Sequence, residues 1–213
     1  MDKPYVVYGA KGGGSVPVEA TLTLLGLAYQ VVEATVWESE AERDKVAVVN
    51  PMRQIPALVT PSGEVITESA AILIWLAEQY PKAHLAPPPG DARRGAYLRW
   101  MTFIPASIYS LYWIRDDPMR LAADQASADL IRARTAERIA ECWRIMDEQV
   151  SPGRYLQGED LGVLDIYVTV VSRWSPRRER FYREAPRMAE VVRRVDTEPR
   201  LQAFWAERFP FED

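Results

Sequence analysis

The spacing of apolar residues changes character near residue 85. Before that point, short runs with β-type composition alternate with helical stretches. Pro4 to Tyr8 is a compact apolar strand, and Gly9 to Gly14 is a loop of chain breakers. Val16 to Leu25 repeats apolar residues at helical spacing, with Gly26 placed as its C-terminal stop. Tyr29 to Trp37 is rich in Val and predicts a second strand. Pro56 to Thr60 and Glu64 to Ile66 flank Pro61-Ser62-Gly63, whose turn chemistry predicts a hairpin. Ser69 to Glu78 is an Ala/Ile/Leu helix. The order β-α-β, an irregular stretch, then β-β-α is the thioredoxin-like arrangement.

The remainder follows a different rule. Pro81, Pro87, Pro88 and Pro89 make 81–90 an extended linker. Beyond it, 91–115, 123–150, 162–172, 185–195 and 199–208 all carry helical spacing, with no credible strand. The chain is therefore expected to be α/β plus all-α. An N-terminal thioredoxin-like domain occupies 1–80, a linker 81–90, and a C-terminal helical bundle domain 91–213.

Composition narrows the chemistry. Of the 213 residues, 48% are apolar and 26% charged, enough for a sizeable core and too apolar for general disorder. The longest uncharged run, Trp100 to Ile114, contains Pro105 and falls short of the roughly 20 residues of a membrane span. No secretory pattern opens the chain, and the single Cys142 has no disulfide partner, so a cytoplasmic location is expected. One histidine, His84, and one cysteine do not make a zinc site or a Cys/His nucleophile pair, and no metal is expected. The net charge of -4 does not recommend nucleic acid as a partner. Arg177, Arg178, Arg180 and Arg183, interrupted by Glu179 and preceded by Ser175-Pro176, read as a solvated loop.

Two segments carry candidate chemistry. In Asn50-Pro51-Met52-Arg53-Gln54-Ile55-Pro56-Ala57-Leu58, Pro56 stands at the first residue of a strand. A proline there marks either a tight cis connection or a trans proline that begins an edge strand. The tight turn would leave the Ile55 amide and carbonyl free to bind an extended peptide ligand as an added strand. Thr67-Glu68-Ser69-Ala70-Ala71-Ile72 lies where the last strand becomes a helix. Ser69 at the N-cap offers backbone N–H groups and a positive dipole end to a carboxylate, with Glu68 beside it to accept from an ammonium group. Its simpler role is that of an ordinary helix cap.

Gln54-Ile55-Pro56 followed by Glu68-Ser69, in a thioredoxin-like domain ahead of an all-helical one, resembles the cytosolic glutathione transferase family of bacterial type. The resemblance covers essentially the whole chain. Gly158, Leu161 and Asp165 also match the family residues that begin a buried helix of the second domain. Asp165 falls at N3, and Leu161 and Ile166 form a hydrophobic staple. Gly162 stands where the family has Ser or Thr, at a cost of only a few tenths of a kcal/mol.

The resemblance implies glutathione as co-substrate and a homodimer that conjugates the glutathione thiolate to a small hydrophobic electrophile, a detoxification chemistry. It implies that Ile55 pairs with the cysteinyl unit, that Glu68 and Ser69 receive the γ-glutamyl end, and that Gln54 lies alongside. Arg53 and Lys45 are the local candidates for the glycyl carboxylate. The thiol-activating position departs from the family pattern. Counted back from Gly26, the serine and cysteine positions fall on Gly12 and Gly14, and the tyrosine position on Tyr8. Tyr8, Ser15 and the glycine-loop amides remain candidates, with Lys11 a nearby charge. Each would supply a donor or positive charge that stabilises a thiolate. Tyr97, Trp100, Met101, Ile104, Ile108, Tyr112 and Trp113 recur at intervals of three and four on the first long helix of the second domain, with Trp205 and Phe209 near the C-terminus. Part of that set is expected to line an apolar pocket for the electrophile. The alternatives are a catalytically silent glutathione-binding or scaffold protein, and a glutathione-dependent disulfide reductase or isomerase.

Overall fold

A computed structural model describes residues 3–174 and 177–210. The chain forms two compact units: residues up to Pro88 together with those from Arg194 onward, and Pro89–Arg193.

The first unit is built on a four-stranded sheet in the order β2-β1-β3-β4. The strands are β1 (Tyr5–Gly9), β2 (Tyr29–Glu33), β3 (Ala57–Val59) and β4 (Val65–Thr67). β1 and β2 are parallel, whereas β3 runs antiparallel to both β1 and β4. The crossover between β1 and β2 is α1 (Val16–Leu24), and α3 (Ser69–Gln79) follows β4 and packs with α1. Residues 16–22 of α1 are all buried, so this helix is covered on more than one side. Period-two alternation buries Tyr5, Val7 and Gly9 of β1 and leaves Val6 and Tyr8 partly open on the opposite face.

The stretch between β2 and β3 contains a helix that apolar spacing does not reveal. α2 (Glu40–Ala47) buries only Val46. Ser39 caps it by accepting from the Glu42 amide at 3.2 Å. Val46 joins Ala10, Ala34 and Ile55 in a small cluster, against which Tyr8, Val36 and Val49 pack. β2 ends at Glu33, and 34–37 turn away from the sheet towards this cluster instead of extending the strand to Trp37.

The last elements of the chain return to the first unit. α9 (Pro186–Asp196) is followed by a single 3-10 turn, Pro199–Leu201, and by α10 (Gln202–Arg208). That turn and α10 both pack on α1. The Trp205 indole donates to the Val195 carbonyl at 3.3 Å and is almost wholly enclosed.

The second unit contains no strand among the described residues. Its elements are α4 (Arg94–Phe103), α5 (Ser110–Asp116), α6 (Gln125–Gln149), α7 (Val163–Val171) and α8 (Arg177–Glu184), with α9 leading out. A π-helical stretch, Ile104–Tyr109, joins α4 to α5. Pro105 lies within it and lacks the N–H that a regular α-ladder requires. Every residue of α7 is buried. At its start, Asp165 accepts from the Gly162 amide at 2.8 Å and from the Leu156 amide at 2.7 Å, while Leu161 and Ile166 are buried beside it.

The arginine-rich stretch expected as a solvated loop is instead α8. Phe181 turns inward onto Trp143 at 5.1 Å between ring centroids. Arg178 is 8% exposed and donates to the Thr169 carbonyl at 2.8 Å. Burial lowers its pKa to about 10. An i, i+3 pair with one aromatic member is enough to fold a charged segment onto a core. Ser175-Pro176 lie outside the described residues.

The tightest packing constraint in the first unit is at Gly9. A Cβ placed there would lie 2.2 Å from Ser15 Oγ and 2.3 Å from Ser15 Cβ. Rotating Ser15 cannot relieve contact with its own Cβ. Gly9→Ala should therefore cost about 1–3 kcal/mol as an overpacked site. The cost should appear as a lower urea midpoint at unchanged slope; an unchanged midpoint would contradict this packing.

Candidate glutathione site

Strand directions gather the candidate residues at one end of the sheet. Tyr8 pairs with Ala57, and Ala57 with Thr67. The end of β1, the start of β3 and the end of β4 are therefore side by side. The chain segments adjoining that edge are the glycine loop after β1, the Ile55–Pro56 turn before β3, and Glu68–Ser69 after β4. α1 and α3 begin at this same edge, each presenting the positive end of its dipole.

The Ile55–Pro56 peptide bond is cis. Neither the amide nor the carbonyl of Ile55 makes a backbone hydrogen bond among the described residues. The turn is braced from behind by Asn50, whose Nδ2 donates to the Gln54 carbonyl at 2.8 Å and whose Oδ1 accepts from the Met52 amide at 3.0 Å. Gln54 itself is exposed. The Ile55 side chain reaches the glycine loop: a Cβ on Gly13 would lie 3.2 Å from Ile55 Cδ1 and 3.3 Å from the Trp37 ring. Glycine at 13 thus lets the turn and loop approach closely, and half-exposed Trp37 joins the edge without having been foreseen from its spacing.

Ser69 is not the N-cap of α3. Glu68 holds that position with φ 66 and ψ 110, and Ser69 is the first helical residue, 5% exposed. The left-handed turn at Glu68 brings the chain into the helix one residue earlier than a serine cap would. The Ser69 amide belongs to the first turn of α3, at the positive end of the helix dipole. Glu68 is exposed and makes no capping bond with its side chain. A glutamate held at positive φ, at a strand-to-helix junction, is the kind of local strain that clusters at ligand sites.

Arg53 also has positive φ, at 57, and its Nη2 pairs with Glu40 and Asp44, each at 2.7 Å. Its Nε is buried without a hydrogen-bond partner among the described residues. Its hydrogen bond to the Glu40 carboxylate raises its pKa. Lys45 pairs with Glu42 at 2.5 Å, and Lys11 is exposed.

The thiol-activation candidates have distinct surroundings. Tyr8 is half-buried beside Ile55 in the α2-facing cluster. Ser15 is fully buried; its Oγ accepts from the Ala10 amide at 3.1 Å and donates to Glu19 Oε1 at 2.6 Å. That hydroxyl hydrogen is committed to a carboxylate inside the fold. In the glycine loop, the Gly13 amide bonds to the Ala10 carbonyl, while the Gly14 amide makes no backbone hydrogen bond among the described residues. Tyr97, Trp100, Met101, Ile104, Ile108 and Tyr112 are all buried, whereas Trp113 is 47% exposed.

Comparisons with known proteins point to one family. The sequence model of the glutathione S-transferase N-terminal domain matches residues 14–79. An uncharacterized GST-like protein of Escherichia coli K12, YncG, is 30% identical over 92% of this chain and 94% of its own. The glutathione S-transferase GstA of Escherichia coli O157:H7 is 22% identical over 90% and 92%. A glutathione transferase homolog from Sulfitobacter, crystallised with bound glutathione, superposes with a TM-score of 0.82 at 25% identity, covering 96% of this chain and 97% of that one.

The strain at Glu68 can be tested in isolation. Glu68→Gly places at positive φ the residue that tolerates it, relieving about 1–3 kcal/mol of strain against roughly 0.5–1 kcal/mol of added chain entropy. Thermal stability should hold or rise. A clear fall would show that the Glu68 side chain braces the junction. With the fold, the edge geometry and these relatives considered together, the chain belongs to the glutathione S-transferase family.

Proposed function

We propose that this protein binds glutathione at the sheet edge and transfers its thiolate to a small hydrophobic electrophile, with residues 1–80 as the glutathione-binding domain. The observation that carries the reading is the Ala57–Thr67 register, which sets the unpaired backbone of Ile55 beside the strained Glu68–Ser69 junction. Glutathione bound to the Sulfitobacter homolog adds support. Family membership carries the expectation of a homodimer, and the free Cys142 suits a reducing cytoplasm.

In this reading the cysteinyl unit lies along Ile55 as a short antiparallel strand, accepting from its amide and donating to its carbonyl. The γ-glutamyl carboxylate meets the Ser69 amide and hydroxyl at the start of α3, and Glu68 accepts from the ammonium group. The buried Nε–H of Arg53 is the donor on offer to the glycyl carboxylate. Gln54 flanks the peptide.

The protein's chemical task is to keep the thiol ionised. A free thiol has a pKa of about 8.5, and a single well-placed donor lowers it. The Tyr8 hydroxyl and the Gly14 amide are the donors in contention, because Ser15 gives its hydrogen to Glu19. A second reading, glutathione binding without turnover, is favoured by the absence of side chains at Gly12 and Gly14.

Calorimetric titration with glutathione should give one site per chain. Ser69→Ala should weaken binding about tenfold or more, for the roughly 1.5–3 kcal/mol of a charge-assisted contact. Tyr8→Phe keeps the ring and removes only the donor. The bound thiol's pKa should rise by about one unit, at roughly 1.4 kcal/mol per unit, with turnover near neutral pH falling about tenfold and recovering in alkali. An unshifted thiolate titration would remove Tyr8 and leave the Gly14 amide. Binding without turnover on a panel of electrophiles and disulfides would establish the second reading.

A further inference from the structure

The glycine loop after β1 is held from the far end of the chain. Arg208, the last residue of α10, reaches it by its main chain and by its side chain. Its carbonyl accepts from the Gly12 amide at 3.0 Å. Its guanidinium grips both oxygens of Glu19, with Nε to Oε2 at 2.5 Å and Nη2 to Oε1 at 3.2 Å. The same Oε1 accepts the Ser15 hydroxyl, and Ser15 Oγ in turn accepts from the Ala10 amide. Ala10, Gly12 and Ser15 are thereby all tied to one arginine. The ring of Phe209 closes over Gly12, 3.6 Å from where a Cβ would be.

The charges make the arrangement specific to arginine. Glu19 is fully enclosed and Arg208 is 6% exposed. Nη1 of Arg208 also bonds to Glu33 at the end of β2, whose side chain is half exposed. Burial works against the guanidinium charge, but hydrogen bonds and charges of Glu19 and Glu33 outweigh it and hold the pKa above its ordinary value. Only a planar fork serves two oxygens of one carboxylate while reaching a second carboxylate; an ammonium group at that position cannot.

We propose that Arg208 is a positioning residue for the thiol site, fixing the Ala10–Ser15 loop so that the thiol donor at this edge, the Gly14 amide or the adjoining Tyr8 hydroxyl, meets the glutathione sulfur. This rests on the glutathione reading above. The Ile55 and Ser69 contacts do not depend on it, so the role concerns the sulfur and not the peptide.

The test is made on the full chain with Arg208→Met, Arg208→Lys, Glu19→Gln and the double variant Glu19→Gln/Arg208→Met. Hydrogen exchange without glutathione should rise at least about tenfold for the amides of 10–16 in Arg208→Met, while β1 and β3 keep their protection. With glutathione bound, the thiol pKa should rise by about one unit and kcat fall about tenfold, with KM for glutathione changing less. Arg208→Lys should not rescue either readout. The double variant, which removes both buried charges together, should shift no further than the single ones, and it takes their place if Arg208→Met does not fold. A folded variant with wild-type loop exchange and wild-type thiol pKa overturns the proposal. A loosened loop in a protein whose wild type does not bind glutathione also overturns it, reducing Arg208 to a structural clasp and removing the glutathione reading with it.

Discussion

A carboxylate with no solvent access, Glu19 on α1, and the guanidinium that neutralises it, Arg208 on α10, form the interaction on which the first unit depends. Their residues are 189 positions apart in the chain. Removing one partner of such a pair typically costs about 3–5 kcal/mol, since the other is left buried and uncompensated. That is a large share of the roughly 5–15 kcal/mol by which domains are stable. The pair is also what makes Ser15 turn inward, and Ser15 in turn requires glycine at position 9. One buried charge on the first helix thus constrains the strand before it, the loop between them and the terminal helix.

The sheet supplies the second constraint. Because β1 and β4 run the same way and β3 opposes both, every loop that bears candidate chemistry emerges at one edge. Two helices begin there, so the edge gathers amides and dipole ends before any side chain is considered. Small residues then set how closely the loops approach: Gly13 admits the Ile55 and Trp37 side chains, and Ile55 lies just outside the β3 ladder. Backbone groups carry much of the proposed recognition, and these are positioned by topology.

Much of this was legible in the order of residues. β-α-β followed by a hairpin and an Ala/Ile/Leu helix is written in local periodicity, and so are the helices after residue 90 apart from α8 and the π-helical stretch at Ile104–Tyr109. Pro56 at a strand start signalled the turn, and Asp165 signalled the start of α7. α2 was not legible from apolar spacing because it buries a single valine, although Ser39 with Glu42 three residues later is a capping signal. Ser69 was displaced from the cap by the backbone of Glu68, since positive φ at a glutamate has no local sequence mark. α8 was not legible because the burial of Phe181 against Trp143 and of Arg178 leaves no apolar period in an arginine-rich stretch. The Glu19–Arg208 pair is non-local, and its only trace was a lone acid in the apolar run Val16-Pro17-Val18-Glu19-Ala20.

Glutathione is proposed to lie along the edge formed by the glycine loop, the Ile55 turn and the Ser69 helix start. Amide chemical-shift mapping during titration with glutathione tests it most directly. The amides of Gly14, Ile55 and Ser69 should shift together along one saturation curve, while amides of the second half of α3 and of the β3–β4 turn stay still. Saturable binding that leaves Ile55 and Ser69 unmoved would contradict it.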